Sequence, residues 1–271
     1  MINCCVVIRI FNLYTVFMKF TLLISAGIAL FASAAIYMSS SSASPENAAT
    51  IAPVAFNEAI GDYEKFPTEV VELYTSQGCS SCPPADRFVA SLADSPSTLA
   101  LTFNVTYWVY LGWKDRFGQH EFTSRQKSYA KSLGVGNVYT PQIIINGSDH
   151  SNQFTREQIK SKRLSDDRPL VDLKFDGNSI RAESISESNL LDYDLTVVSF
   201  SPGLQSTPVK RGENRNRLLE NFNVVTGVYQ LSSDESFSVD MPEHKAGMAY
   251  ALLTASSETA EILSLTRIIP K

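Results

Sequence analysis

Apolar positions recur along this chain at two different spacings, and the change between them divides it. Up to about Leu164, short continuous apolar runs alternate with stretches in which apolar residues fall three or four apart. From Leu170 onward apolar and polar residues simply alternate, segment after segment. The first pattern predicts mixed strands and helices, and the second predicts half-buried strands. Val70 to Tyr74, an apolar run broken once by Glu72, predicts a strand, and Ser76 to Gly78 are turn formers. Pro83-Pro84 fit the first turn of a helix, which Ala85 to Ala93 then continues with Phe88, Val89 and Leu92 at helical spacing. Leu99 to Tyr110, rich in β-branched and aromatic residues, predicts the next strand. Leu111 to Asp115 predicts a loop.

Phe122, Tyr129 and Leu133 recur on one face of a second predicted helix, with Gly134 at its end. Pro141 lacks a ladder donor and so belongs at the first residue of a strand or on an edge, here at the head of the run that leads through Ile143-Ile144-Ile145. Asn146-Gly147 then signals a tight hairpin. Arg156 to Leu164 predicts a closing helix, and Asp166 to Pro169 a linker. Beyond it, LVDLKF, SIRAES, YDLTVVSF, NVVTGVYQ, SFSVDM, GMAYALLTAS and LSLTRIIP predict antiparallel strands in a sandwich-like arrangement. The expected organisation is a targeting segment over 1–45, an α/β domain over 46–168 and an all-β domain over 169–271.

The targeting segment follows from charge and hydropathy together. No acidic residue precedes Glu46, and Phe20 to Met38 is an uncharged apolar run behind Met18-Lys19, where translation could itself begin. A signal peptide with Ala32-Ser33-Ala34 as cleavage site and a single N-terminal membrane anchor both fit. Under either, the body is expected to be exported, to the periplasm or secreted, or held at the membrane. Its net charge of -5, with both signs interspersed, lacks the basic patch that a nucleic-acid backbone demands.

Export changes the meaning of the cysteines. Cys4 and Cys5 lie upstream of the apolar run, which leaves Cys79 and Cys82 as the only pair in the body. A disulfide between them closes almost no loop and so removes little entropy from the unfolded chain, which makes a structural role a poor explanation. Their expected place at a helix start favours a thiolate and hence disulfide exchange. Cys79, the first of the two, is expected to be the more exposed and to attack; Cys82, a turn inside, is expected to resolve the mixed disulfide. Zinc wants four ligands, and His120, His150 and His244 pair at no ligand spacing, so neither metal nor other cofactor is expected. A copper(I) carrier, which needs only two soft thiolates, and a non-catalytic partner-binding module stand as alternatives.

The order strand, CxxC, helix, strand, helix, Thr-Pro, hairpin, helix resembles that of thioredoxin-like proteins. More closely, GCSSCPPAD, YLGWKD, FTSRQKSYA, VYTPQ and RGENRNR resemble an exported thioredoxin-like family known as domain of unknown function 1223. The resemblance implies a thioredoxin-like α/β domain followed by the β-rich one. It also implies a cis bond at Thr140-Pro141 facing the cysteines, and a carboxylate near Glu72 that would sit beneath Cys82 as a proton relay if buried. An exported protein thiol or disulfide, or a small thiol, would be the substrate, with a separate electron donor or acceptor. The chain departs from the family pattern at Thr106 and Val109, where acidic residues are expected, at Asn216 for a glycine and at Thr226 for an arginine. Trp108, Tyr110 and Trp113 are expected in the core rather than along a groove wall, and Lys114-Asp115 as a solvated pair. Arg211 to Asn214 is either a domain-interface network or a binding loop.

Overall fold

A computed structural model describes residues 66–176, 179–186, 189–232, 237–240 and 247–268. The targeting segment and most of the polar lead-in lie outside the described residues. Among the described residues no helix is long and apolar enough to cross a membrane.

Eleven strands and three α-helices are described. They follow in the order β1 (Glu69–Thr75), α1 (Pro83–Ser91), β2 (Thr98–Asn104), α2 (His120–Ser132), β3 (Gln142–Ile145), β4 (Asp149–Ser151) and α3 (Arg156–Lys160). Next come β5 (Val171–Asp176), β6 (Ser179–Ser184), β7 (Tyr193–Pro208), β8 (Leu218–Gln230), β9 (Ser238–Asp240), β10 (Ala249–Ser256) and β11 (Ile262–Ile268). Local chemistry accounts for the punctuation. Asn146 and Gly147 both take positive φ in the β3–β4 turn, 49° and 66°, as a tight hairpin requires. Thr155 and Gln158 form a reciprocal capping box that starts α3.

The expected fold class, a thioredoxin-like α/β domain followed by a separate all-β domain, is overturned. The structure is mostly β, and one mixed eight-stranded sheet in the order β11-β10-β7-β8-β2-β1-β3-β4 runs through both halves of the chain. The junction is β2 against β8, parallel at Thr102 and Val224. Side chains complete it: the Thr102 hydroxyl donates to Phe222 O at 2.6 Å and Asn223 Nδ2 to Ala100 O at 2.9 Å. The physical reason is a shared core. Phe122 and Tyr129 of α2 pack with Val70, Tyr74, Leu101 and Phe103 from the first half and with Val198, Phe200, Leu253 and Leu265 from the second. Two separate domains would leave that face of the C-terminal strands without a cover.

The opposite face is covered piecewise. Ala85 and Val89 of α1 and Leu92 just beyond it, with Ile159 of α3, pack on Val71, Leu73, Ile143 and Ile145. A small antiparallel sheet, β5-β6-β9, packs Val171, Leu173 and Ile180 on Leu195, Val197 and Leu252. Two of the predicted C-terminal strands, YDLTVVSF and NVVTGVYQ, run longer than expected and form a β7–β8 hairpin of 16 and 13 residues. Its loop reaches the start of α1.

Candidate functional site

Cys79 and Cys82 form a disulfide with their Cα atoms 5.5 Å apart. Cys82 is the N-cap of α1, followed at once by Pro83 and Pro84. Its carbonyl accepts from the amides of Ala85 and Asp86 at 2.9 and 3.1 Å. Cys79 lies in the preceding turn, its amide donating to Ser76 O at 3.0 Å. Both cysteine residues are fully buried, while Ser80 and Ser81 between them are exposed. The expected exposure of Cys79 therefore does not hold in the oxidised form. Sequence order places Cys79 outside the helix, but loops from elsewhere in the chain close over its turn.

The sequence marked one of those loops, Arg211 to Asn214, as an interface or binding run but not that it grips the disulfide turn. Asn214, completely buried in the β7–β8 loop, donates from Nδ2 to Gln77 O at 3.0 Å and to Cys79 O at 2.8 Å. The neighbouring Glu213 accepts from the Ser80 amide at 3.1 Å. Arg217 holds Asn214 in place by donating to its Oδ1 at 3.0 Å. The Arg211–Asn214 run is thus a clamp on the disulfide turn. Asn216 has φ 66°, a left-handed backbone that asparagine tolerates better than most residues, at the position where the family resemblance leads one to expect glycine. On the other side, Trp113 Nε1 donates to Gln77 Oε1 at 3.0 Å. A side chain at Gly78 would place its Cβ 2.9 Å from Trp108 Cβ, so glycine is required there.

The Thr140-Pro141 bond is cis. Thr140 is tied to the same assembly, its hydroxyl accepting from Trp108 Nε1 at 2.8 Å. Gln126, a buried polar residue on the core side of α2, brackets the proline by donating to Tyr139 O and to Gln142 Oε1, each at 2.8 Å. Gln126 was legible in principle, with Arg125, as a polar side chain midway between Phe122 and Tyr129 on the apolar face. Ser81, Pro84 and Phe88 on one side and Thr140, Pro141 and Phe154 on the other line a cleft of about 790 Å³. At its far wall the Tyr139 hydroxyl and His150 Nδ1 are 2.9 Å apart.

Glu72 is elsewhere. Side chains alternate along a strand, and Val71 and Leu73 face α1, so Glu72 faces α2 with Val70 and Tyr74. It is buried, as the relay idea requires, but beside Arg125: Oε2 accepts from Nε at 2.9 Å and Oε1 from Nη2 at 2.8 Å. The hydroxyls of Tyr74 and Tyr129 donate to the same carboxylate at 2.9 and 2.7 Å. Burial alone would raise its pKa, but the Arg125 guanidinium and these hydrogen bonds hold it below the usual value. An ionised, fully paired carboxylate on the far side of the sheet is a structural ion pair, and the expectation of a proton relay at Glu72 is corrected.

The carboxylate on the cysteine side is Asp86, one helical turn beyond Cys82 and buried against β8. Burial pushes its pKa up to about 7, the Asp115 carboxylate adds to the rise, and the nearby Thr75 hydroxyl and a hydrogen bond from Asn221 oppose it in part. Asn221 Nδ2 donates to Asp86 Oδ1 at 3.1 Å. Asp115, expected as a solvated residue, is also buried. Its Oδ2 accepts from the Gln77 amide and Asn104 Nδ2, at 2.8 and 2.9 Å, and its Oδ1 from the Phe117 amide at 2.9 Å. It anchors the turn from behind, and its own pKa is raised by burial against those hydrogen bonds. Of the aromatic residues expected in the core, Trp108 packs on it only partly buried, and Tyr110 is 74% exposed and stacked on Trp108.

Among the described residues no three His, Cys, Asp or Glu side chains gather into a metal-holding group. Among curated proteins none matches the sequence. Two solved structures are similar. One is protein AGR_C_4864 of Agrobacterium tumefaciens, 26% identical with a TM-score of 0.57, covering 77% of this chain and 96% of that one. The other is HBP35 of Porphyromonas gingivalis, 11% identical with a TM-score of 0.52 and covering 76% of each, a likeness of fold alone. The sequence from residue 70 to 255, which takes in the disulfide turn, the cis-proline and the Glu213–Asn214 clamp, matches the family described as protein of unknown function DUF1223, and the chain belongs to that family.

Proposed function

We propose that this protein is an exported thiol–disulfide oxidoreductase working through Cys79 and Cys82. The observation that carries the reading is the placement of a three-residue-spaced disulfide at the start of α1, with cis-Pro141 and an open cleft beside it. The short spacing gives the bond little value as a cross-link, and the helix start favours thiolate chemistry. Export rests on the N-terminal apolar run, and fits a compartment in which such a bond persists.

Both cysteines are buried in the oxidised form, so attack on the bond requires local opening of the 79–82 turn. In the reduced form a Cys79 thiolate would attack a substrate disulfide, forming a mixed disulfide and expelling one substrate thiolate. Cys82 would then attack the Cys79 sulfur, restoring the internal disulfide and expelling the second. Asp86, titrating near neutral pH one turn from Cys82, is the group we assign to accept the Cys82 proton. The cleft, walled by Phe88, Pro141 and Phe154, suits a peptide carrying the substrate cysteine.

The test is trapping. Reduced Cys82→Ala protein, offered a peptide with one disulfide, should accumulate a covalent adduct at Cys79, whereas Cys79→Ala should not. Wild type should catalyse exchange between the same peptide and a glutathione buffer, whichever way the electrons run. Absence of turnover in wild type would overturn the reading, and an adduct formed only by Cys79→Ala would reverse the two roles.

A further inference from the structure

The clamp from the β7–β8 loop bears on the direction in which electrons flow. A thiolate at Cys79 depends on nearby N–H groups at the helix start for its stability. Two of these are already engaged: the Ser80 amide donates to the Glu213 carboxylate at 3.1 Å, and the Cys82 amide to Cys79 O at 3.3 Å. Glu213 does more than occupy a donor, because it brings a negative charge to the residue next to Cys79. Asn214 sets that position by gripping Gln77 O and Cys79 O on either side of the turn. The charges around the turn are of both signs. Asp86 of α1 and Asp115 of the loop after β2 are acidic, and Arg217 is turned to Asn214 Oδ1. Arg87 acts on Asp86 and Arg116 on Asp115; Lys210, Arg211 and Arg215 share the loop of Glu213, and Lys114 lies on the exposed side of its loop. What bears on the Cys79 thiolate is therefore the contact that Glu213 itself makes beside it.

We propose that Glu213, held by Asn214, is a positioning residue that shifts the Cys79–Cys82 couple toward the reducing side and so favours donation of electrons to exported disulfides. This rests on the thiol–disulfide reading above and adds a favoured direction to it. A charge that disfavours the Cys79 thiolate destabilises the dithiol relative to the disulfide, and a pair whose reduced form is destabilised is the stronger reductant. Each turnover passes two electrons from the dithiol to the substrate disulfide, and a dithiol donor must restore them to the Cys79–Cys82 bond.

The experiment is equilibration of the full exported body with glutathione buffers, reading the dithiol-to-disulfide ratio by alkylation and mass. Glu213→Gln keeps an acceptor for the Ser80 amide and removes only the charge. It should shift the equilibrium toward the dithiol by about threefold to tenfold, the size expected for one partly solvated charge at close range; tenfold corresponds to about 30 mV. Asn214→Ala should shift it the same way. The double variant should shift it no further than Glu213→Gln alone, because Asn214 acts through Glu213. A merely structural clamp would lower melting temperature in Asn214→Ala and leave the Glu213→Gln equilibrium at the wild-type value, which would overturn the proposal. An unchanged or opposite shift in Glu213→Gln with wild type exchanging normally sinks this inference alone. A wild-type disulfide that never exchanges with glutathione sinks the functional reading as well.

Discussion

Replacing Arg125 with Met, or Glu72 with Gln, separates a structural ion pair from a catalytic acid. The Glu72 carboxylate receives four hydrogen bonds, two from Arg125 and one each from Tyr74 and Tyr129, and its side chain is 1% exposed against 18% for Arg125. Removing one partner leaves the other charge buried and unpaired, a loss of about 3–5 kcal/mol. For a body of this size that corresponds to a fall in Tm of roughly 6–20 °C. Glu72→Gln leaves two acceptor–donor contacts in place, so it belongs at the low end. The double variant Glu72→Leu, Arg125→Met should recover part of the loss, since replacing both charges with apolar groups is often close to neutral. The pH dependence has a defined sign. The folded pKa of Glu72 is lowered from 4.5, so its stabilisation is complete above that value and disappears as pH falls through the folded pKa. The gap in Tm between wild type and Glu72→Gln should therefore be full at neutral pH and close in acid. The assay is thermal unfolding across pH, paired with the decay of a trapped Cys79 mixed disulfide. Slow decay in Glu72→Gln with an unchanged Tm would refute the placement of this residue on the far side of the sheet from the chemistry.

Asp86→Asn should slow resolution of the mixed disulfide by about 10²-fold and flatten its pH dependence around neutrality, read by single-turnover kinetics. The same variant should also become more stable relative to wild type as pH rises. A carboxyl held at about 7 when folded binds its proton more tightly than in the unfolded chain, so wild type loses stability from about pH 4 up to pH 7 and Asn does not. The difference, up to about 4 kcal/mol at pH 8, is measurable by urea unfolding at pH 5 and pH 8. Gly147→Ala should destabilise by roughly 2–5 kcal/mol in the same assay without moving the glutathione equilibrium. Gly147 has φ 66°, and an added Cβ would lie 2.5 Å from Ala260 O, beside the point where the Ile262 amide reaches Asn146 O.

Sequence alone determined what depends on neighbours a few residues apart. The proline pair behind Cys82 sets where α1 starts, because proline lacks the amide that a helix interior would need. Asn146-Gly147 sets the β3–β4 turn, because both residues tolerate positive φ. The alternation of Val70 to Tyr74 even determined that Glu72 lies on the face opposite Val71 and Leu73. Which helix covers which face was decided only by the crossover connections, and with it whether Glu72 met Cys82 or Arg125. The same is true of the sheet. The apolar pattern after Leu170 required strands but not their partners, and joining β8 to β2 is settled by side-chain bonds and one core shared across the chain. The clamp is the extreme case. The run holding Glu213 and Asn214 stood out in the sequence as an interface network or a binding loop, but nothing in local pattern encodes its contact with Ser80 and Cys79 from more than 130 residues away. Such a contact exists only once the long β7–β8 hairpin has packed and carried its loop to the start of α1.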